Sequence, residues 1–195
     1  MREALKQAVR ALALILVAPA LASFWIRAAL LGQDRALESS SQTLSLIPGI
    51  AGQYLRQAFL ARVLAGCHPT STVSFGTLFS QCGARLDEYV YVGPRCSLGL
   101  VHIERDVLLG AGVHVTSGRH THGADELDVP IRHQPTTRTL VRIGAGTWIG
   151  SGAIIMADVG QRCVIGAGSV VTKPVPDDVV AAGVPARVIR QRASV

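Results

Sequence analysis

The sequence is poor in aromatic residues and in charge. Aromatic side chains make up 5% of the 195 residues and charged ones 16%, although 49% of the residues are hydrophobic. A core of repeated Val, Ile, Leu and Ala accounts for this balance better than a sandwich built on aromatic anchors. A chain of this length predicts one well-buried domain with an appendage rather than two ordinary domains.

Cysteine motifs are missing as well. The four cysteines, Cys67, Cys82, Cys96 and Cys163, contain no CxxC pair and no tightly spaced framework. This spacing excludes zinc ribbons and small domains held together by disulfides. We predict reduced, structural thiols that pack as small apolar residues, which suits a reducing compartment.

Acidic residues are scarce in the N-terminal part of the chain. Residues 1–72 carry seven Lys or Arg and three Asp or Glu, whereas residues 73–195 carry twelve and ten. The excess of positive charge therefore lies mainly in the N-terminal segment, for which an anionic membrane surface is a natural partner. The rest of the chain has no basic run and no aromatic stacking platform, so nucleic acid is not an expected partner.

The sequence does contain a six-residue repeat. An aliphatic residue followed by Gly recurs at Ile143, Ile149, Val159 and Ile165. Such a period is typical of a parallel β-helix, in which each hexad supplies a short strand with one inward residue and a turn. Degenerate hexads precede these, with inward residues predicted at Val73, Phe79, Val92, Leu98, Ile103, Leu109 and Val115. We expect the steps shorter than six residues to mark corners.

The N-terminal third contains a long apolar run. Residues 11–26 carry no charge and follow Arg2, Lys6 and Arg10. As a helix they would span about 24 Å, less than a hydrocarbon core of roughly 30 Å, and Pro19 predicts a kink. A signal peptide, a helix packed against the protein and a monotopic or re-entrant helix lying in one leaflet are the alternatives. A Ser-rich turn at 39–41 and a second helical segment follow, which we expect to cap the β-helix or to lie on the membrane.

The repeat is interrupted by a polar loop at residues 116–140. Three of the six histidines lie in this loop, at His120, His122 and His133. A long loop that leaves a rigid repeat is usually functional. Imidazole titrates near neutrality, so such a histidine is suited to general-base chemistry.

The motifs IGAGTWIGSGAIIM, VIGAGSVVTKPVP and AAGVPARVIR carry a family resemblance. Over about residues 70–191 the chain resembles the left-handed β-helix hexapeptide-repeat acyltransferases, and among them the galactoside and maltose O-acetyltransferases and related polysaccharide-modifying enzymes. The fold class expected is therefore mainly β: a left-handed parallel β-helix at 69–195, with a helical, membrane-associated segment at 1–68.

The resemblance implies a homotrimer in which acetyl-CoA is the acyl donor and a loop histidine is the general base. It places the base at His120, with His122 as the competitor because the HTH sequence leaves the register open by two residues. It places contacts to the donor at Ser151, Ala167, Thr172, Lys173 and Arg190, with Trp148 as a wall of the groove or a packed corner residue. A cytosolic donor favours the monotopic alternative on the cytoplasmic face of the inner membrane.

The expected function is O-acetyl transfer to a hydroxyl of a sugar or a cell-surface glycan precursor. The alternatives are a non-catalytic β-helix scaffold in a membrane polysaccharide-synthesis complex and an N-acyltransferase acting on an amino sugar or serine. A zinc site at His114, His120 and His122 is disfavoured because the three lie on one short stretch, so no metal is expected.

Overall fold

The computed structural model describes residues 2–119 and 121–192 as three helices followed by a parallel β-helix. The helices are α1 (Arg2–Leu31), α2 (Gln33–Ser45) and α3 (Gly49–Val63), and a 3-10 turn occupies Ile131–His133. The strands are β1 (Gly66–Cys67), β2 (Thr72–Val73), β3 (Leu78–Phe79), β4 (Arg85–Leu86), β5 (Tyr91–Val92), β6 (Ser97–Leu98), β7 (Val101–Ile103), β8 (Leu108–Leu109), β9 (His114–Val115), β10 (Val141–Ile143), β11 (Trp148–Ile149), β12 (Ile154–Ile155), β13 (Val164–Ile165), β14 (Val170–Val171), β15 (Val179–Gly183) and β16 (Ala186–Gln191). The predicted fold class is confirmed as a mainly parallel β solenoid with a helical N-terminal segment.

Each coil of the solenoid contributes a strand to each of three sheets. Sheet A contains β1, β4, β7 and β10, and sheet C contains β3, β6, β9, β12 and β14. Sheet B contains β2, β5, β8, β11, β13 and β15, and the antiparallel strand β16 covers its last edge. We number the coils from the helices: coil 1 is β1–β3, coil 2 is β4–β6, coil 3 is β7–β9, coil 4 is β10–β12, and coil 5 comprises a bridge at Val159, β13 and β14.

The residues predicted to point inward fill the core. Each of them, from Val73 in coil 1 to Ile165 in coil 5, is at most 2% exposed. They stack in columns through parallel pairing, so that Leu109 lies between Val92 and Ile149 in sheet B. Burial of these columns is the main favourable contribution to stability, because one hexad alone buries little apolar surface.

A glycine follows several of the inward residues and allows successive coils to approach closely there. A Cβ atom on Gly144 would lie 2.6 Å from the backbone of the next coil, and one on Gly150 would lie 2.5 Å from the backbone nitrogen of Ala167. The left-handed residue of the corner comes two positions later, at Gly146 (φ 66°) and Gly152 (φ 69°). The motif I-G-x-G therefore combines two separate steric requirements, close approach and a positive φ.

All irregular steps in the repeat occur at the corner between sheets C and A. The inward residues on either side of this corner are separated by seven positions in one coil, five in the next and four in another: Phe79 to Leu86, Leu98 to Ile103, and Ile155 to Val159. The loop at 116–140 leaves coil 3 at the same corner. The sequence predicted that short steps mark corners, and the structure places them at one corner only.

Helices α2 and α3 cover the open edge of coil 1. The amide of Phe79 donates to the hydroxyl of Ser41 at 2.8 Å, and the amide of Cys82 donates to the carboxylate of Asp34 at 2.8 Å. The amide of Gly76 donates to the carbonyl of Ser45 at 2.9 Å. An uncovered terminal coil would expose an edge of unpaired backbone groups, so this cap terminates the solenoid.

Arg56 of α3 lies at the centre of the cap and is 2% exposed. Its Nε donates to the carbonyl of Val73 at 3.0 Å, and its Nη1 donates to the carbonyls of Leu44 and Ile47 at 3.1 and 2.7 Å. Burial lowers the pKa of this guanidinium, but arginine stays charged in proteins. One side chain thus joins α2, α3 and coil 1.

The interpretation of Ser39–Ser41 as a turn is wrong, because these residues lie inside α2. The hydroxyl of Ser40 donates to the carbonyl of Ala36 at 2.8 Å, a bond that a serine can form within a helix. Arg27 of α1 donates to the hydroxyls of both Ser39 and Ser40. The serines are therefore contacts between helices and to the cap, a role that local composition does not distinguish from a turn.

Helix α1 packs against the cap with one face only. Ala13, Val17 and Phe24 are at most 3% exposed, and Phe24 meets Phe59 of α3 edge to face. Ala4–Leu31 is long and apolar enough to cross a membrane by length and composition, and 17% of its most apolar window is buried in the protein. The uncovered face carries large apolar residues that are more than half exposed: Leu5, Leu12, Ile15, Leu16, Ile26 and Leu30.

All four cysteines are free and buried. Burial raises the pKa of the Cys67, Cys96 and Cys163 thiols. The pKa of Cys82 rises to about 11, through burial and the nearby charge of Asp34. The thiols therefore stay protonated at neutral pH, which makes them weak nucleophiles and agrees with the structural role predicted for them.

Replacing Arg56 by Ala should destabilise the protein by about 3 kcal/mol, because two buried carbonyls and one partly buried carbonyl lose their donor. Arg56→Lys should fall between this variant and the wild type, since an ammonium reaches fewer of the carbonyls. Thermal unfolding measures the effect. The control is Arg62→Ala, which removes an exposed arginine from the same helix, and equal melting temperatures for the two alanine variants would contradict this account of the cap.

Candidate active site

The loop at 116–140 is closed at its root by backbone and hydroxyl contacts. The carbonyl of Ser117 accepts the amide of Thr139 at 2.8 Å, which joins the two ends of the loop. The hydroxyl of Ser117 accepts the amide of Leu100 at 2.9 Å, which ties this root to coil 3. Gly118 follows with a φ of 93°, and a Cβ there would contact Thr139. The loop therefore leaves the solenoid from a fixed position.

The loop is also held together internally. His122 bridges Thr136 in antiparallel fashion, and the amide of Thr137 donates to the carbonyl of Thr121 at 3.1 Å. Gln134 is 6% exposed, and its side-chain amide donates to the carbonyls of Glu126 and Val129 at 2.7 and 2.8 Å. Two paired arms around a buried glutamine give the loop a defined shape.

Two pockets flank the root of this loop, and His120 lies outside the described residues. The first pocket, of about 360 Å³, lies at the corner between sheets C and A. It brings Gly118 and Arg119 of the loop together with Thr172 and Lys173 of the VTK motif, and Asp158 lies at its edge. The long loop and two of the predicted donor contacts, Thr172 and Lys173, thus lie at the same corner of the solenoid.

The second pocket, of about 290 Å³, lies against sheet C. It is lined by His114 on β9, by Thr121 and His122 of the loop, and by hydroxyl side chains that include Ser97 and Thr116. His114 points outward in register with Ser97 and Ile154. Arg119 and Thr121, which precede and follow position 120, therefore line different pockets.

The other predicted donor contacts lie across sheet C from the VTK motif. Trp148 is 53% exposed on sheet B, in register with Val164. Val164 pairs with Val180, and Val180 pairs with Arg190 of β16, so Trp148 and Arg190 lie along one row of this sheet. Ser151 and Ala167 occupy adjacent coils at the corner between sheets B and C, where the amide of Gly168 donates to the carbonyl of Ser151 at 2.9 Å. One chain does not bring these four residues to Thr172 and Lys173.

Sequence reasoning missed Ser117, Gln134 and the contribution of Arg119. In the sequence, the one hint of the closed root is the pair Ser117-Gly118 shortly after β9, because a glycine, which can adopt a positive φ, often follows the end of a strand. Gln134 lies between His133 and Pro135 in an exposed stretch, and nothing in that pattern predicts its burial. Among residues 2–119 and 121–192, no group of three His, Cys, Asp or Glu side chains could hold a metal ion.

The sequence matches proteins of known class. The family model described as bacterial transferase hexapeptide (six repeats) matches residues 141–173. Galactoside O-acetyltransferase from Escherichia coli (strain K12) is 30% identical over 164 residues, which cover 73% of this chain and 81% of that protein. The chain belongs to the hexapeptide-repeat acetyltransferase family. The resemblance, and the enzyme class that it implies, are thereby confirmed.

Solved structures of hexapeptide-repeat acetyltransferases share the fold. A galactoside acetyltransferase in complex with coenzyme A superposes with a TM-score of 0.67 at 25% identity, covering 82% of each chain. A maltose O-acetyltransferase from Clostridium difficile 630 superposes with a TM-score of 0.66 at 24% identity, covering 83% of this chain and 89% of that one. The predicted acyl carrier agrees with the coenzyme A present in the first of these structures.

A further relative is the Escherichia coli (strain K12) protein named "Putative lipopolysaccharide biosynthesis O-acetyl transferase WbbJ". It is 32% identical over 125 residues, or 60% of this chain. The match spans 61% of the length of that protein. Its glycan-related name bears on the acceptor, which is taken up below.

Replacing Gln134 by Ala should open the loop locally, because the change removes two hydrogen bonds from a buried amide. We expect limited proteolysis within residues 119–138 to accelerate by about tenfold, with an unchanged melting temperature. Arg138→Ala, an exposed change in the same loop, is the control. Equal cleavage rates in the Gln134 variant and the wild type would show that the glutamine does not hold the loop.

Proposed function

We propose that this acetyltransferase transfers acetyl from acetyl-CoA to a hydroxyl of a sugar or a cell-surface glycan precursor. The observation that supports it most is the pocket at the corner between sheets C and A, hereafter the donor-side pocket, where the loop root meets Thr172 and Lys173. The galactoside acetyltransferase complex with coenzyme A supports the donor, and the names of the E. coli relatives support a sugar acceptor.

The general base in this proposal is His120, with His122 as the alternative. The imidazole takes the proton of the acceptor hydroxyl while its oxygen attacks the thioester carbonyl carbon. The C–S bond then breaks, and the same imidazole returns the proton to the CoA thiolate. Arg119 lines the pocket that contains Thr172 and Lys173, and Thr121 and His122 line the pocket against sheet C, so position 120 falls in sequence between residues of the two pockets.

Lys173 and Arg190 are the proposed partners of the CoA phosphates, because cationic side chains form charge-assisted hydrogen bonds to phosphate oxygens. Ser151 and Ala167 present small side chains at a corner where the pantetheine arm can lie along the backbone. Trp148 provides an exposed apolar wall on sheet B. Thr172 adds a hydroxyl at the loop root.

A homotrimer explains why these contacts lie at two corners of a single chain. Thr172 and Lys173 lie at the corner between sheets C and A, whereas Trp148 and Arg190 lie on sheet B. A donor groove between two neighbouring solenoids would bring the C–A corner of one subunit, with Thr172 and Lys173, beside sheet B and the B–C corner of the next. The site is therefore incomplete in a monomer, and activity is expected to follow the oligomer.

The proposed location is the cytoplasmic face of the inner membrane. The exposed apolar face of α1 lies opposite the face that packs on the cap, which supports a helix that lies in the membrane surface. Arg27 is held by Ser39 and Ser40 on the protein side and does not enter the apolar face. An acceptor presented at a membrane follows from this position.

His120→Ala should lower the rate of thiol release from acetyl-CoA in the presence of acceptor by about a hundredfold or more, because the hydroxyl loses its base. His122→Ala should have the smaller effect. The control is His133→Ala, in an exposed position of the same loop. Full activity in both the His120 and the His122 variant would exclude this mechanism, whereas unchanged coenzyme A binding by calorimetry would confine the defect to chemistry.

Ile15→Glu should move the protein from the membrane fraction to the soluble fraction, because a carboxylate replaces the centre of the apolar face of α1. Fractionation without detergent measures this shift. Leu127→Glu is the matched control, since Leu127 is 95% exposed on the long loop. A wild-type protein recovered wholly in the soluble fraction would remove the membrane from the proposal.

A further inference from the structure

A pocket of about 420 Å³ lies between the basic end of α1, helix α3 and the first corner of the solenoid. It is lined by Lys6 and Arg10 of α1, by Gln53, Tyr54 and Gln57 of α3, and by Pro69–Thr72 and Tyr89. This basic pocket lies at the cap, away from the residues assigned above to the donor and the base. Its volume is within the range of small-molecule sites.

The chemistry of the basic pocket favours an anion. Its described lining contains Lys6 and Arg10 but no Asp or Glu, and it adds the amides and hydroxyls of two glutamines and two tyrosines. Arg10 donates through Nη2 to the carbonyl of Pro69 at 2.9 Å, which fixes its guanidinium against coil 1. That bond uses one of the five N–H donors of a guanidinium, whose planar fork matches phosphate oxygens.

The position of the basic pocket relative to α1 points to a membrane lipid as the source of that phosphate. Lys6, Arg10, Ala13 and Val17 follow one another at steps of four, three and four residues, so they share the protein-facing side of α1. The opposite side carries the apolar face. A helix lying at the boundary between acyl chains and headgroups keeps the long Lys and Arg side chains of its polar side within reach of the lipid phosphates.

A groove adjoins the basic pocket and leads away from the cap. It has a volume of about 790 Å³ and shares Pro69 with the basic pocket. It follows the corner between sheets A and B from Gly66 in coil 1 to Gln161 in coil 5. Acidic, basic and histidine side chains line it: Arg85, Asp87, Glu88, His68, His102, Glu104 and Arg105.

Side-chain pairing keeps the groups in this groove in place. His102 Nε2 and Asp87 Oδ2 are 2.8 Å apart, and Glu104 accepts the backbone amide of Ala145 at 3.1 Å. Such a mixture of donors and acceptors matches sugar hydroxyls, each of which both donates and accepts. A glycan attached to a phosphate in the basic pocket would therefore find hydrogen-bonding partners along the groove.

We propose that the basic pocket binds the phosphate that links a membrane lipid to a sugar, and that the sugar enters the adjoining groove. The inference rests on the proposed acetyl transfer and on the proposed membrane contact of α1, and it names the acceptor class as a lipid-linked glycan. Arg10 is the main anchor of the phosphate. The site is separate from the donor-side pocket, so it selects the acceptor without taking part in the chemistry.

Vesicle flotation of the full chain tests the site with three compositions: neutral phosphatidylcholine, the same lipid with polyprenyl phosphate, and the same lipid with phosphatidylglycerol at matched surface charge. We expect polyprenyl phosphate vesicles to bind about tenfold more tightly than phosphatidylglycerol vesicles. A polyprenyl diphosphate that carries one sugar should bind more tightly still. Equal binding to both anionic compositions, or no gain from the sugar, would overturn the proposal.

Arg10→Gln should abolish the preference for polyprenyl phosphate and leave binding to neutral vesicles unchanged. Arg62→Gln removes the same charge from an exposed position of α3 outside the pocket and should keep the preference. If both variants lost the preference for polyprenyl phosphate equally, the preference would come from general charge attraction, and the proposed site would be excluded. Acetyl transfer to a soluble sugar, unchanged in Arg10→Gln, separates failure of this site from failure of the proposed enzyme activity.

Discussion

The close approach of successive coils is the constraint on which the rest of the structure depends. Parallel pairing keeps neighbouring strands roughly 5 Å apart, and glycines such as Gly144 and Gly150 are required where one backbone meets the next. This spacing stacks the inward residues into continuous columns. It also leaves the last edge at each end to be covered, by α2 and α3 at one end and by β16 at the other.

The repeat could be predicted from the sequence because each inward position is decided locally. An aliphatic residue that recurs every sixth position and is followed by glycine points into the solenoid core, and Val92, Leu109 and Ile149 are all fully buried there. The helical cap was predicted in outline. The prediction of a turn at its serines is wrong. A Ser-rich stretch favours a turn by local composition, whereas the groups that these serines contact, Arg27 and the edge of coil 1, lie elsewhere in the sequence.

Local sequence patterns indicate only some of the features of the candidate site. The motif behind the family resemblance singles out Thr172 and Lys173 as proposed donor contacts, and the interruption of the repeat singles out the loop. Their meeting at one corner depends on how coil lengths add up around the solenoid, which a linear pattern does not display. Gln134 and Ser117 act through backbone groups several residues away, so their roles depend on the folded path of the loop rather than on residue type.

The stacking of coils also measures distance from the cap. Three coils separate α2 and α3 from the loop at 116–140, and each coil adds roughly 5 Å. With α1 in the proposed membrane surface, the loop stands at a height of roughly 15 Å above the cap, set by a whole number of coils. For the lipid-linked acceptor proposed above, one coil more or fewer would move the loop by roughly 5 Å along the glycan, so the number of coils would set which sugar the loop reaches.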